Sequence, residues 1–483
     1  MKTRVVYTLL FSLLGLASCS NFIDLTSPTL LPSENFYKTE SDMKLAVIGV
    51  YGLLRTNYNV YFYMNEMPSD NAETHTESEA GLGVWDKLSW NAFTTDFENI
   101  WINYYNTISQ CNTVLSKING VAFTKADTKA QYISEMKFIR ALMYFELVRS
   151  FGEVPLALDL LTTDKEAFSH LRKPTEEIYK QIEQDLKEAE GGVPAVYPAV
   201  ADKGRVTSGA VKALLGKVYL YQKKKEKYEQ AASKLAEVAM DTINYGLMKN
   251  PADVFSITDE YNMEVIFTVQ YSRILAGVGE GSSFALNFLP ELSGLTTLVN
   301  WSQNIGTLDL YRIFKNGDKR KDLIGVHVRG NAADSASAAF YYYTKKFLDN
   351  PPTQTDGENN WIVIRYADVL LLYAEALNEL GRTTDALKEV NKVRTRAGVP
   401  KLALTLSPTQ TSEAIKLERR LELCFEGHRW PDLVRWGDYL KVMTAFKTNF
   451  KVSAMMPDEH DKLFPIPNRE RVINPALTQN KGY

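Results

Sequence analysis

The chain has 483 residues, 45% of them apolar and 23% charged, with a net charge of −3. That is enough apolar material for a large core and too little basic excess for a nucleic-acid binder. Lys223 to Lys225 is a single short basic run on an otherwise mixed helix and reads as a solvated face. The length admits two or three average domains or one large helical array.

The first segment carries Lys2 and Arg4, then an apolar run from Val5 to Leu16 that is too short to span a bilayer. This is an export signal over residues 1–18, and Leu16-Ala17-Ser18-Cys19 resembles the bacterial lipobox. The resemblance implies acylation of Cys19, which becomes the first residue of the mature protein. Several acyl chains on one residue anchor a protein durably, where a single chain would not. Residues 19–32 are polar and contain prolines, so they read as a tether to one folded domain over residues 33–483. The remaining cysteines, Cys111 and Cys424, are far apart in sequence and sit in apolar surroundings, so two buried free thiols are expected.

From residue 41 onward the apolar spacing is helical. Helices are predicted over Ser41 to Leu54, Ile100 to Ile118, Gln131 to Phe151, Thr175 to Ala189, Ser208 to Gln222, Lys227 to Met240, Ile362 to Leu380 and Thr384 to Arg396. They come in pairs of about tetratricopeptide length, with Ala231, Ala232, Ala374 and Ala386 where such helices pack closely. The predicted fold is therefore mostly α. Irregular tetratricopeptide-like helix pairs, about four of them, stack into one superhelical scaffold.

Two long stretches interrupt the helical pattern and contain minor β. Arg55 to Glu98 sets Tyr58, Tyr61, Tyr63, Trp85, Trp90 and Phe93 among Asp, Asn, Glu and Gly. Asn250 to Asn360 mixes the strand-like run Val265 to Tyr271 with Gly277, Gly279, Gly281 and Gly294. Long insertions on a rigid scaffold are where binding usually resides.

Signatures of catalysis are missing. The histidines His75, His170, His327, His428 and His460 are scattered, and no metalloprotease, nucleophile-elbow, phosphate-loop or dinucleotide pattern occurs. Glu418, Glu422 and Glu426 fall on one helical stripe beside Arg419, Arg420, His428 and Arg429. Paired carboxylates can do acid and base work, but interleaved Arg and Glu at this spacing can also satisfy one another across helices, and that packing role is the expectation here. No cofactor is expected. A structural calcium held by loop carboxylates stays open, with no spacing that assigns its ligands.

The second half of the chain carries recurrent motifs. Ile364-Arg365-Tyr366-Ala367-Asp368-Val369-Leu370 is followed by Asn391-Lys392-Val393-Arg394-Thr395-Arg396-Ala397-Gly398. Glu418 to Leu423, Phe425-Glu426-Gly427-His428-Arg429 and Asp432 to Gly437 come next, then Phe464-Pro465-Ile466-Pro467 and the ending Gln479 to Tyr483. Together with Phe138 to Tyr144 and Gly204 to Ala210, they resemble the SusD/RagB family of nutrient-binding outer-membrane lipoproteins over almost the whole mature chain. The resemblance implies a noncatalytic protein that binds glycans at the cell exterior. It also implies a partner, a SusC-type TonB-dependent transporter, and an outer-membrane location through the lipid anchor. A peptide-binding lid of the same transporter type is the alternative, and a secreted glycoside hydrolase is a more distant one.

A sugar ring presents an apolar C–H face and a rim of hydroxyls, so its site needs flat aromatic side chains and polar partners. Trp85 and Trp301 lie in the insertions among glycine and polar residues and are the predicted platforms. Tyr63, Asp70 and Asn71 are the predicted contacts from the first insertion. Arg365, placed at the start of a helix just after the second insertion, could grip hydroxyls or serve helix packing. Trp101, Trp361, Trp430 and Trp436 lie in or beside helices and are assigned to the core.

Overall fold

The computed structural model describes residues 36–75, 83–161, 163–273, 280–291, 293–329, 339–452 and 455–483. The expected signal (1–18), Cys19 and the tether (19–32) lie outside the described residues, as do Gly277 and Gly279. Helix accounts for 54% and strand for 8%, in keeping with the mostly α scaffold expected.

Among the described residues, eight helices make four successive pairs. They are α1 Glu40–Asn59 with α2 Thr95–Lys117, α3 Ala126–Phe151 with α4 Thr175–Glu190, α5 Ser208–Tyr221 with α6 Lys225–Ala239, and α7 Tyr366–Glu379 with α8 Thr383–Ala397. Each pair packs on the next, α2 on α3, α4 on α5 and α6 on α7, and α9 Pro408–Leu423 closes the array against α7 and α8. Local chemistry sets the ends. At α1 the Thr39 hydroxyl accepts from the Asp42 backbone N–H at 3.1 Å while the Asp42 carboxylate accepts from the Thr39 N–H at 2.8 Å, satisfying two otherwise unpaired amides. Helix α8 stops at Gly398, whose φ of 77° is left-handed backbone that glycine adopts without penalty. Gly216 lets α5 approach α6 closely, because a Cβ there would lie 2.5 Å from Cγ of Leu235.

The predicted helix Ile362 to Leu380 starts four residues late. Trp361–Arg365 is instead a strand, β8, paired antiparallel with β4 Val265–Val269. The run Ile362-Val363-Ile364 is β-branched and buried on both sides, which favours a pleated strand over a first helical turn. A four-stranded antiparallel sheet joins the two insertions in the order β1 Ala72–Glu73, β5 Ile305–Gly306, β7 Ala339–Thr344, β6 Ile324–Arg329, and a short pair is made by β2 Val154–Pro155 and β3 Arg172–Lys173. Cys111 and Cys424 are free and buried. No helix among the described residues is long and apolar enough to cross a membrane.

Candidate functional site

Most of the six predicted contact residues face inward. Trp85 is fully buried. Its ring meets Phe97 at 4.9 Å and Phe464 at 5.8 Å between centroids, and its indole N–H donates to Asp96 at 3.2 Å. The polar neighbours that suggested a loop platform are overruled by aromatic side chains arriving from α2 and from the C-terminal segment. Tyr63 packs its ring against Phe62 at 4.6 Å and tilts toward Trp85 at 6.1 Å. Burial pushes its hydroxyl pKa up.

Asp70 and Asn71 are buried as well. Arg429 donates to both Asp70 oxygens at 2.8 and 2.9 Å, and Arg420 lies 3.0 Å from Oδ2. Burial acts to raise the Asp70 carboxyl, but Arg420 and Arg429 outweigh it and hold it at about 2. The Asn71 amide donates to Glu66 at 2.9 Å and accepts from Arg420 at 2.8 Å. Glu66 in turn accepts from the backbone N–H groups of Phe425 and Gly427 at 2.8 and 3.0 Å. Residues 66–71 are thus a fastening between the first insertion and the turn after α9, with their polar groups buried and paired within the fold.

Arg365 takes its packing alternative. Only 2% exposed, it donates to Glu426 at 2.6 and 2.9 Å, to Glu422 at 2.7 Å and to Glu264 at 2.8 Å. The three stripe glutamates are likewise committed. Glu418 accepts from Arg320 at 2.6 Å and from Arg394 at 2.7 Å, Glu426 from Lys346 at 2.6 Å, and Glu422 pairs also with Arg396. Burial works to raise the Glu422 carboxyl, and Arg396, Arg365 and Arg320 hold it down. Mutual satisfaction of Arg and Glu across helices is what the stripe does, and no carboxylate there is open to solvent for proton transfer.

Trp301 differs from the rest. It remains half-exposed on a loop pinned by its own backbone, with Trp301 N–H donating to Leu286 O at 2.9 Å, Ser302 N–H to Leu289 O at 3.1 Å and Gln303 N–H to Asn287 O at 2.7 Å. The first insertion runs alongside, His75 N–H donating to Ser302 O at 3.0 Å. The His75 ring sits 2.9 Å from Glu73 Oε1 and 4.7 Å, centroid to centroid, from Tyr341 of β7. Asp86 accepts from the Thr74 N–H at 3.0 Å, and burial pushes its carboxyl up to about 6.

Beneath this rim the side-chain oxygens of Asn287 and Gln303 and both polar atoms of Asn304 are buried without a hydrogen-bond partner among the described residues. A half-exposed indole and a histidine–glutamate pair are groups that stack on and bond to a polyhydroxylated ring, whereas the amide atoms beneath are closed to solvent. His75 and Tyr341 were not predicted. Their signal, a Phe340-Tyr341-Tyr342-Tyr343 run with alternating burial, becomes legible only once β7 is placed near residues 72–75.

Comparison with known proteins agrees with this architecture. The SusD family matches residues 314–483, and a family described as starch-binding and associating with the outer membrane matches residues 21–220. The chain belongs to the SusD family. SusD-like protein P25 of Formosa agariphila is 27% identical, covering 100% of both chains. The starch-binding protein SusD of Bacteroides thetaiotaomicron is 23% identical over 90% of this chain and 86% of its own. Among solved structures, a laminarin-binding SusD-like protein superposes with a TM-score of 0.79 at 28% identity, covering 92% of this chain and 100% of that one.

Proposed function

We propose that this member of the SusD family is a noncatalytic, lipid-anchored glycan receptor on the outer face of the outer membrane. It captures oligosaccharides and delivers them to a SusC-type TonB-dependent transporter. The observation that carries the proposal is Trp301, half-exposed on a loop whose Ser302 carbonyl accepts from the His75 N–H, with the His75 ring paired to Glu73 and set against Tyr341 on the adjoining segment. A structural relative described as laminarin-binding makes laminarihexaose the first probe.

Calorimetric titration with laminari-, cello-, malto-, manno- and xylohexaose tests the reading. At least one of them binds wild type. Trp301→Ala weakens that binding by about fivefold or more, equivalent to ~1 kcal/mol of stacking, with an unchanged melting temperature. Unchanged affinity would place the site elsewhere, and release of reducing ends by the purified protein would overturn the noncatalytic assignment. Purification in mild detergent from cells grown on the bound glycan should bring down a large β-barrel, and recovery of the protein alone would count against the transporter partnership.

A further inference from the structure

On the helical array, away from the residues of the Trp301 rim, lies a cavity of about 490 Å³. Three segments distant in sequence enclose it: the face of α2 bearing Trp101, Tyr105 and Ser109, the stretch from Pro155 to His170, and the C-terminal residues Glu470 to Leu477. Its size lies in the range of small-ligand sites.

The walls are fixed before any ligand arrives. Tyr105 donates to Pro155 O at 2.7 Å, Asn112 to Ala157 O at 3.0 Å and to Asp159 O at 3.3 Å, and Asn474 to Phe168 O at 3.2 Å. The Nδ1 of His170 bonds Leu156 O at 3.0 Å, and since a carbonyl can only accept, Nδ1 carries the proton and Nε2 is left uncommitted.

Other polar groups are unspent. The side chains of Asn106, Ser109, Asp159 and Glu470 line the cavity and make no side-chain hydrogen bond among the described residues. Phe168 is 42% exposed, and Ile102 and Ile473, at 39% and 45%, add apolar surface to the same lining. No lysine or arginine is among the lining residues.

We propose that this cavity is a second oligosaccharide-binding site, selective for neutral glycans. Phe168 and Tyr105 supply the surface for the C–H face of a pyranose. Asn106, Ser109, Asp159, Glu470 and the free nitrogen of His170 exchange hydrogen bonds with its hydroxyls. The two carboxylates, with no cation in the lining and the neighbouring Arg469 paired to Glu98, repel uronic or sulfated chains. The ligand class rests on the glycan-binding reading above, whereas the existence of the site rests on its own geometry.

The test uses the full chain in detergent, wild type and Trp301→Ala, with the five neutral hexaoses and with hexagalacturonate as the anionic control. Hydrogen exchange is followed separately in residues 155–161 and in residues 300–304. At least one neutral hexaose should slow exchange in 155–161 twofold or more in both proteins. Phe168→Ala, a change at an exposed ring, should abolish that protection with an unaltered melting temperature.

Protection of 300–304 alone overturns the second site and leaves the receptor reading standing. Protection of neither segment overturns both. Equal protection by hexagalacturonate overturns the selectivity, and protection that persists in Phe168→Ala and in Asp159→Ala overturns the assignment of the cavity.

Discussion

Replacing Trp85 with alanine should cost the fold and spare the binding rim. The ring is fully buried, meets Phe97 and Phe464 edge to face, and its N–H satisfies Asp96. Truncating a buried tryptophan removes its transfer free energy and leaves a cavity, together about 3 to 5 kcal/mol. The Asp96 carboxyl also loses its bond. Unfolding a domain of about 450 residues carries an entropy of roughly 0.9 kcal/mol/K, so a loss of ~4 kcal/mol lowers the melting temperature by about 4 °C. Scanning calorimetry reads that shift, and titration at 20 °C with whichever hexaose wild type binds reads the site. The expected pair of results is a fall of about 4 °C with a Kd within about twofold of wild type. A melting temperature within about 1 °C of wild type, accompanied by a tenfold loss of affinity, would show that the indole faces ligand and would refute the reasoning.

Arg365→Met leaves Glu264, Glu422 and Glu426 short of a shared buried partner, and denaturant unfolding should show a loss of about 3 to 5 kcal/mol. Arg365→Lys should rescue little of it, because an ammonium cannot span three carboxylates as the planar fork does; a midpoint equal to wild type in either variant would contradict the packing role. Asp86 offers a pH test, since burial pushes its carboxyl from 3.8 up to about 6. The folded state then holds more protons than the unfolded chain between those values, so wild-type stability rises as pH falls through 6, and the charged form burdens the fold at higher pH. Asp86→Asn should therefore be the more stable protein at pH 7.5, by on the order of 1 to 3 kcal/mol, with the advantage shrinking toward pH 4; a pH-independent difference would dismiss the titration. Cys19→Ala should abolish lipid labelling and release the protein from membranes, and continued fractionation with the outer membrane would refute the anchor.

Helical spacing was enough to place the four helix pairs, because that signal is local. The insertions were legible as insertions for the same reason. Which of their side chains face outward was not, since that depends on partners hundreds of residues away. Asp70 and Asn71 look like ligand-binding residues in their own neighbourhood, yet Arg420 and Arg429 claim them. A hint lay in Arg420, which has no acid three or four residues away along its helix and so needs a carboxylate from elsewhere. Trp85 was misread because Phe97 and Phe464 reach it only in three dimensions. Arg365 was placed at the start of a helix, whereas it ends a strand and turns its guanidinium into the stripe of glutamates.

The fastenings at residues 66–71, together with Thr307, whose hydroxyl donates to Asp70 O at 2.7 Å, bracket the rim without belonging to it. Between Asn71 and Trp85 on one side, and between Leu289 and Ile305 on the other, the chain can be exchanged while its attachment points and the buried Phe288 beside them stay as they are. The protein is in that sense a socket with interchangeable heads. A grafted pair of segments from a relative of different appetite should inherit the donor's ligand and keep the host's stability, provided that Glu66, Asp70, Asn71, Thr307, Arg420 and Arg429 are carried through unchanged.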